Sequence, residues 1–136
     1  MESNILADTS ILIELQRKNK VVVEEFSKLK NRILISRITA CELIYGSRNK
    51  KEREINLAFI KMLNILEMDK ETSLLTFSLI KKYGLKTELG ISDALLAASA
   101  ISNKIPFWTV NIRHFDKISK LNVFKPKKNS TQKHQK

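Results

Sequence analysis

The stretch ILADTSILIEL, residues 5–15, ends a short apolar run with an acid, Asp8, and follows it at once with two small hydroxyl residues, Thr9 and Ser10. NILA (4–7) reads as a short strand, and Thr9 or Ser10 is expected to cap a helix running through Ile11, Leu12 and Leu15. A carboxylate at the end of a buried strand costs desolvation energy, so it must be held by something or hold something. A strand that passes directly into a helix is also the opening of a βα unit, and the rest of the chain can be tested for the same alternation.

The alternation continues. Val21 to Leu29 places Val22, Val23, Phe26 and Leu29 on one helical stripe, and ILIS (33–36) is a continuous apolar run of the kind that strands buried on both faces show. Ile38 to Tyr45 reads as helix, and Glu52 to Asn64 repeats Ile55, Phe59, Met62 and Leu63 at helical spacing. ILEM (65–68) is strand-like, and Glu71 to Tyr83 is a helix with Leu74, Leu75, Leu79 and Ile80 inward, stopped by Gly84. Ile91 to Asn103 is an Ala-rich helix, PFWTV (106–110) is the most strand-like segment of all, and NVF (122–124) suits an edge strand. Parallel neighbours need crossover connections, which are usually helical, so the pattern predicts an α/β fold: a mainly parallel sheet covered by helices on both faces. Ligands of such sheets sit beyond the carboxyl ends of the strands, which is where Asp8 lies.

At 136 residues the chain fits one domain and can bury roughly 68% of its unfolded surface without disulfides or metal staples. The single Cys41 has no partner in the chain, which points to a reduced, cytoplasmic compartment. No apolar run approaches the ~18 residues of a membrane span, and no basic region precedes a long apolar block at the N-terminus. The formal charge is +11. Five of those charges are lysines of KPKKNSTQKHQK (125–136), expected to be a disordered basic tail in which His134 is inert; removing five from eleven leaves +6 on the domain, residues 1–124. An anionic partner, nucleic acid before membrane, is the expectation, against the plain reading of a solubilising lysine-rich surface.

Two further acids share the setting of Asp8. Glu42 stands among Ile38, Leu43, Ile44 and Tyr45, and Asp93 opens a helix whose next turns carry Ala97, Ala98, Ala100 and Ile101. Each has an ordinary explanation: Asp8 as a helix N-cap, Asp93 as a first-turn acid facing the helix dipole, Glu42 as a partly exposed helix residue. Taken together, three carboxylates in apolar surroundings are more cheaply held by one shared cation. Oxygen-only ligation suits Mg²⁺ or Mn²⁺, and the absence of Cys/His pairs argues against zinc.

The order of ILADTS, TACELIYG, ISDALLAASA and TVNIRHFDKI over residues 3–124 resembles the PIN domain, specifically the toxin ribonucleases of VapBC toxin–antitoxin modules. The resemblance implies a three-layer α/β/α sandwich, a homodimer, and a Mg²⁺- or Mn²⁺-dependent endoribonuclease restrained by a cognate VapB-type antitoxin. Carried over by position, Asp8, Glu42 and Asp93 are the metal ligands, Thr9 and Ser10 steady Asp8, and Asn111 matches the family's Asn or Asp after the fourth strand. Many members carry an acid three residues beyond; here that place is His114, and Asp116 on a short helix points elsewhere. His114 is either a contact to the scissile phosphate or a surface or packing histidine.

Water activated on a metal does not require the ribose 2′-hydroxyl, so the resemblance implies products with 5′-phosphate and 3′-hydroxyl ends. Arg37, Arg48, Lys50, Lys51 and Arg113 are candidates to hold the RNA backbone, against a plain solvated face. Two other classes remain open: a catalytically impaired RNA-binding module, favoured by His114, and an interaction scaffold whose helices between Ile55 and Ile80, with Phe59 and Phe77 exposed, make a subunit contact.

Overall fold

The computed structural model describes residues 4–126. Four short strands, β1 (Ile5–Ala7), β2 (Ile33–Ser36), β3 (Asn64–Leu66) and β4 (Phe107–Trp108), form one sheet in the order β3-β2-β1-β4. All pairings are parallel, with Leu6 opposite both Leu34 and Phe107, and Ala7 opposite Trp108. Because the strands are parallel, their carboxyl ends share one edge. The chain steps outward from β1 through β2 to β3 and then returns to place β4 on the other side of β1. That reversal opens a crevice at the end of β1.

Side-chain alternation along the central strands divides the core in two. Leu6 and Phe107 point into a cluster with Leu79, Ala94, Ala97 and Phe115, under α5 (Lys70–Tyr83) and α6 (Ile91–Ser102). Ile5, Ala7, Ile35 and Trp108 point the other way, against α1 (Thr9–Gln16), α2 (Lys20–Leu29), α3 (Arg37–Tyr45) and α4 (Lys50–Lys61). The result is the expected α/β/α sandwich. Ala94, Ala97, Ala98 and Ala100 are buried, which lets α6 lie close on the sheet.

Several local expectations need correction. Asp8, not Thr9 or Ser10, occupies the N-cap position of α1, and its side chain makes no capping hydrogen bond. Gly84 follows α5 with φ −60°, so it is not the left-handed terminator that glycine usually supplies; a Cβ there would come within 2.6 Å of the Ile80 carbonyl oxygen, and close approach explains the glycine. On α5, Leu74 is 62% exposed while Leu75, Leu79 and Ile80 pack inward. NVF contributes a single parallel bridge, Val123 to Phe107, rather than a strand. The ring of Phe124 meets Trp108 edge-on at 5.8 Å, so packed structure reaches Phe124; residues 127–136 of the expected tail, His134 included, lie outside the described residues.

The stripe assigned to α4 is rotated. Ile55 and Met62 face solvent, while Phe59, Ile60 and Leu63 pack on the core. The reason is Asn56, which is buried: Gln16 Nε2 donates to its Oδ1 at 2.7 Å, and its Nδ2 donates to the Leu43 carbonyl at 3.1 Å and to Ser47 Oγ at 2.8 Å. One amide thus satisfies α1 and α3 together, and α4 turns to present it. The helices between Ile55 and Ile80 are also not a pair, since α4 and α5 belong to opposite layers; of the two phenylalanines expected at a subunit contact, Phe77 is exposed and Phe59 is not. Replacing Asn56 by Leu should cost about 1–3 kcal/mol in urea unfolding, because buried partners lose their bonds. A variant as stable as the parent would show that apolar packing, not this network, sets the rotation of α4.

Candidate active site

The carboxyl edge of the sheet collects the polar residues that the sequence singled out. Asp8 follows β1 directly and is 4% exposed. Its backbone N–H donates to the Trp108 carbonyl at 2.8 Å, continuing the ladder to β4 and fixing where the side chain starts. Ser10 Oγ and Thr109 Oγ1 each donate to Asp8 Oδ2 at 2.7 Å. These hydroxyls are themselves held: Ser10 Oγ accepts from the Val110 N–H at 3.2 Å, and Thr109 Oγ1 accepts from the Asn111 N–H at 2.9 Å. Both donors converge on one oxygen of Asp8, and Oδ1 receives neither.

Thr109 was not singled out from sequence, though it is buried and matches Ser10 in its service to Asp8. The available signal was its place, directly after a strand expected beside β1. Thr9 serves a different acid from the one expected. Its Oγ1 lies 2.6 Å from Glu42 Oε1 and 2.9 Å from Thr39 Oγ1, and its single proton belongs to the carboxylate, the stronger acceptor. Thr9 therefore fixes Glu42 on α3, while Ser10 fixes Asp8.

Asp93 lies in the first turn of α6. Burial pushes its carboxyl above the ordinary aspartate range; a hydrogen bond with His114 opposes that shift, and the negative charge of Asp8 adds to it. His114, in the turn Ile112–His114 after β4, places Nδ1 3.2 Å from Asp93 Oδ2 and Nε2 3.4 Å from Glu88 Oε2. No Lys or Arg among the described residues forms an ion pair with Asp8, Glu42 or Asp93. The three acids are not drawn into a closed set either: among the described residues, no group of three His, Cys, Asp or Glu side chains is arranged to hold a metal. Asp8 is near enough for its charge to bear on Asp93, and Glu42 is tied by Thr9 to the residue that follows Asp8.

The basic candidates separate into two kinds. Arg37 is bound to Glu67 by a two-pronged ion pair, and Arg48 grips Glu52 through Nε and Nη2 at 3.1 and 3.0 Å, so both are partly spent on neighbours. Lys50 and Lys51 are exposed at the start of α4. Arg113 lines a concavity of about 270 Å³ with Asn111 and His114, beside the exposed Val110 and Ile112. It also lines an adjacent one of about 280 Å³ with Lys86 and Lys117, two lysines that sequence reasoning did not pick out. Glu88 borders both. Asp116 lies in the turn after His114, not on a short helix as expected, and lines the second concavity.

Comparison with known proteins places the fold in a family. The sequence model of the PIN domain matches residues 5–121. The chain is 35% identical over 125 residues to ribonuclease VapC1 of Methanocaldococcus jannaschii, covering 90% of this chain and 86% of that protein. It is 29% identical over 124 residues to the tRNA(fMet)-specific endonuclease VapC of Salmonella typhimurium, covering 88% and 94%. Among solved structures, DNA-bound VapBC from Salmonella typhimurium superposes with a TM-score of 0.76 at 27% identity, covering 90% of this chain and 98% of that one. VapBC2 of Rickettsia felis, bound to a promoter DNA fragment, gives 0.74 at 25% identity and 90% of this chain and 98% of that one. With one sequence model spanning nearly all of the folded chain and a relative above 30% identity along its length, the protein belongs to the PIN-domain family, among the VapC ribonucleases.

Proposed function

We propose that the chain is a metal-dependent endoribonuclease, the toxin of a toxin–antitoxin pair, and that Asp8 and Asp93 hold the metal. The observation that carries this reading is the setting of the two acids: Asp8 is buried, Asp93 is sheltered and burdened by burial and by the charge of Asp8, and no Lys or Arg among the described residues pairs with either. A hard divalent ion does, and the oxygen-only donor set fits Mg²⁺ or Mn²⁺. When bound, such an ion supplies Lewis acidity toward a phosphate oxygen and makes water more acidic.

The chain's own groups complete the chemistry. Asp8 offers the oxygen that Ser10 and Thr109 leave alone, Oδ1. Glu42, anchored at Oε1 by Thr9, is the group that would orient the attacking water or accept its proton, and would help to hold the ion. The side-chain amide of Asn111 makes no hydrogen bond among the described residues, which leaves it to meet the metal or the RNA. Arg113, Lys86 and Lys117 meet the phosphate backbone, with Lys50 and Lys51 at a second approach. Water attacking phosphorus with the ribose 3′ oxygen as the leaving group would give 5′-phosphate and 3′-hydroxyl ends, the outcome that the family resemblance implies.

The relatives suggest what is cut and what restrains it. One is named a tRNA(fMet)-specific endonuclease, which makes tRNA the first substrate to try, and the solved neighbours are VapBC complexes, which supports a VapB-type antitoxin as partner. The exposed Leu74 and Phe77 on α5 support a homodimer contact.

End-labelled tRNA incubated with the purified protein should be cleaved with Mg²⁺, and a chelator should stop the reaction. Asp93→Asn should slow cleavage on the order of a thousandfold, the equivalent of several kcal/mol of transition-state stabilisation. RNA retained without metal-dependent cutting would favour the impaired binding module instead, and cutting by the Asn variant at the parent rate would remove Asp93 from the site.

A second consequence concerns stability. The folded state raises the pKa of Asp93, so protonation favours folding: the aspartate's contribution is present at low pH and is lost as pH rises through the raised folded value. In chelator, Asp93→Asn should therefore melt above the parent at neutral pH, and the gap should close as pH falls toward the ordinary carboxylate range. An equal gap at all pH values would mean that burial and Asp8 do not burden this group.

A further inference from the structure

We infer that His114 is a positioning residue that holds Asp93 ready for the metal and, because its two ring nitrogens already face carboxylates, stays out of the ligand set, so that the site takes one divalent ion and not two. The inference rests on the proposed metal-dependent reading of the same site.

The imidazole is launched from a fixed base. The next residue, Phe115, is buried and meets Phe107 of β4 edge-on, with ring centroids 4.8 Å apart. The backbone N–H of His114 donates to the Asn111 carbonyl at 3.0 Å, closing the turn that follows β4. From this base the ring spans two segments that precede or begin α6. Nδ1 is 3.2 Å from Asp93 Oδ2, and Nε2 is 3.4 Å from Glu88 Oε2. The segment carrying Glu88 is pinned in the same way, by the buried Leu89, whose N–H donates to Thr87 Oγ1 at 3.1 Å.

The two contacts differ in weight. Glu88 is 80% exposed at its side chain, and an exposed ion pair contributes little; its effect is to steer the ring. Asp93 is mostly sheltered, and there a directed hydrogen bond fixes which way the carboxylate turns. Partners of this kind, one bond removed from the metal, orient the ligand and strengthen binding.

The same arrangement limits the number of ions. Ligation by imidazole needs an in-plane nitrogen lone pair facing the metal, and both nitrogens face carboxylates. The Glu88 carboxylate lies within ion-pair distance of His114 Nε2. A two-ion site needs further donors about one metal–metal spacing, roughly 4 Å, beyond the first set. Among the described residues no such group of acids and histidines is assembled.

The test is a Mn²⁺ titration of the full chain in which unbound Mn²⁺ is read by electron paramagnetic resonance, with tRNA cleavage measured in parallel. The parent should bind one Mn²⁺ per chain. His114→Ala should bind the same number about tenfold or more weakly, without a matching fall in melting temperature. Its kcat should recover at high Mn²⁺ with KM for RNA little changed, a pattern that loss of packing would not produce. His114→Gln, whose amide can still donate to Asp93, should lie close to the parent, and Glu88→Gln, at an exposed position that does not risk the fold, should weaken Mn²⁺ in the same direction by less. Two ions bound by the parent, or unchanged Mn²⁺ affinity in both His114→Ala and Glu88→Gln, would overturn the inference. Failure of the nuclease reading looks different: one Mn²⁺ bound, and weakened by the substitutions, with no RNA cut by any form.

Discussion

The buried carboxylate of Asp8 imposes the main constraint on this fold. Placing it at the end of the central strand is tolerable only because two hydroxyls reach the same oxygen, one from the first turn of α1 and one from the end of β4. That in turn requires β4 to lie beside β1, although a hundred residues separate Ser10 from Val110, whose N–H it accepts. The reversal of strand order at β1 is therefore what makes the acid affordable. It also opens the crevice beside which the acid sits.

Electrostatics at the edge run against the charge of the chain as a whole. The protein is strongly basic, yet Asp8, Glu42 and Asp93 meet hydroxyls and one imidazole rather than lysine or arginine. Two of the candidate arginines are engaged elsewhere, Arg37 with Glu67 and Arg48 with Glu52. A local cluster of acids inside a basic surface suits a nuclease of the VapC kind, whose substrate is a polyanion. No helix among the described residues is long and apolar enough to cross a membrane, and Cys41 is exposed and unpaired within the described chain.

The two small-residue devices serve this arrangement from opposite sides. On α6 the run of buried alanines brings the helix, and with it Asp93, close to the sheet. On the other face Thr9 joins α1 to Glu42 of α3, so a single tripeptide, Asp-Thr-Ser, ties two helices of one layer together and holds the ends of β1 and β4 side by side. Adjacent residues of a helix start point in different directions, which is why Thr9 and Ser10 cannot both serve the same acid.

What the sequence by itself determined was what depends on local chemistry. Apolar runs alternating with helical stripes indicated a parallel sheet between helices, and acids set in apolar surroundings marked Asp8, Glu42 and Asp93, because periodicity and desolvation cost act within a few residues. The tertiary structure decided what depends on contacts distant in the chain. Thr109 joins the Asp8 cradle only when β4 pairs with β1; Asn56 turns α4 away from its apparent apolar stripe only when Gln16 and Leu43 arrive to bind it. His114 looked like a missing acid in the linear chain, and became a bridge between Asp93 and Glu88 once the turn after β4 lay against the start of α6. Side-chain partners across layers are chosen by the packing of whole elements, and no local spacing encodes them.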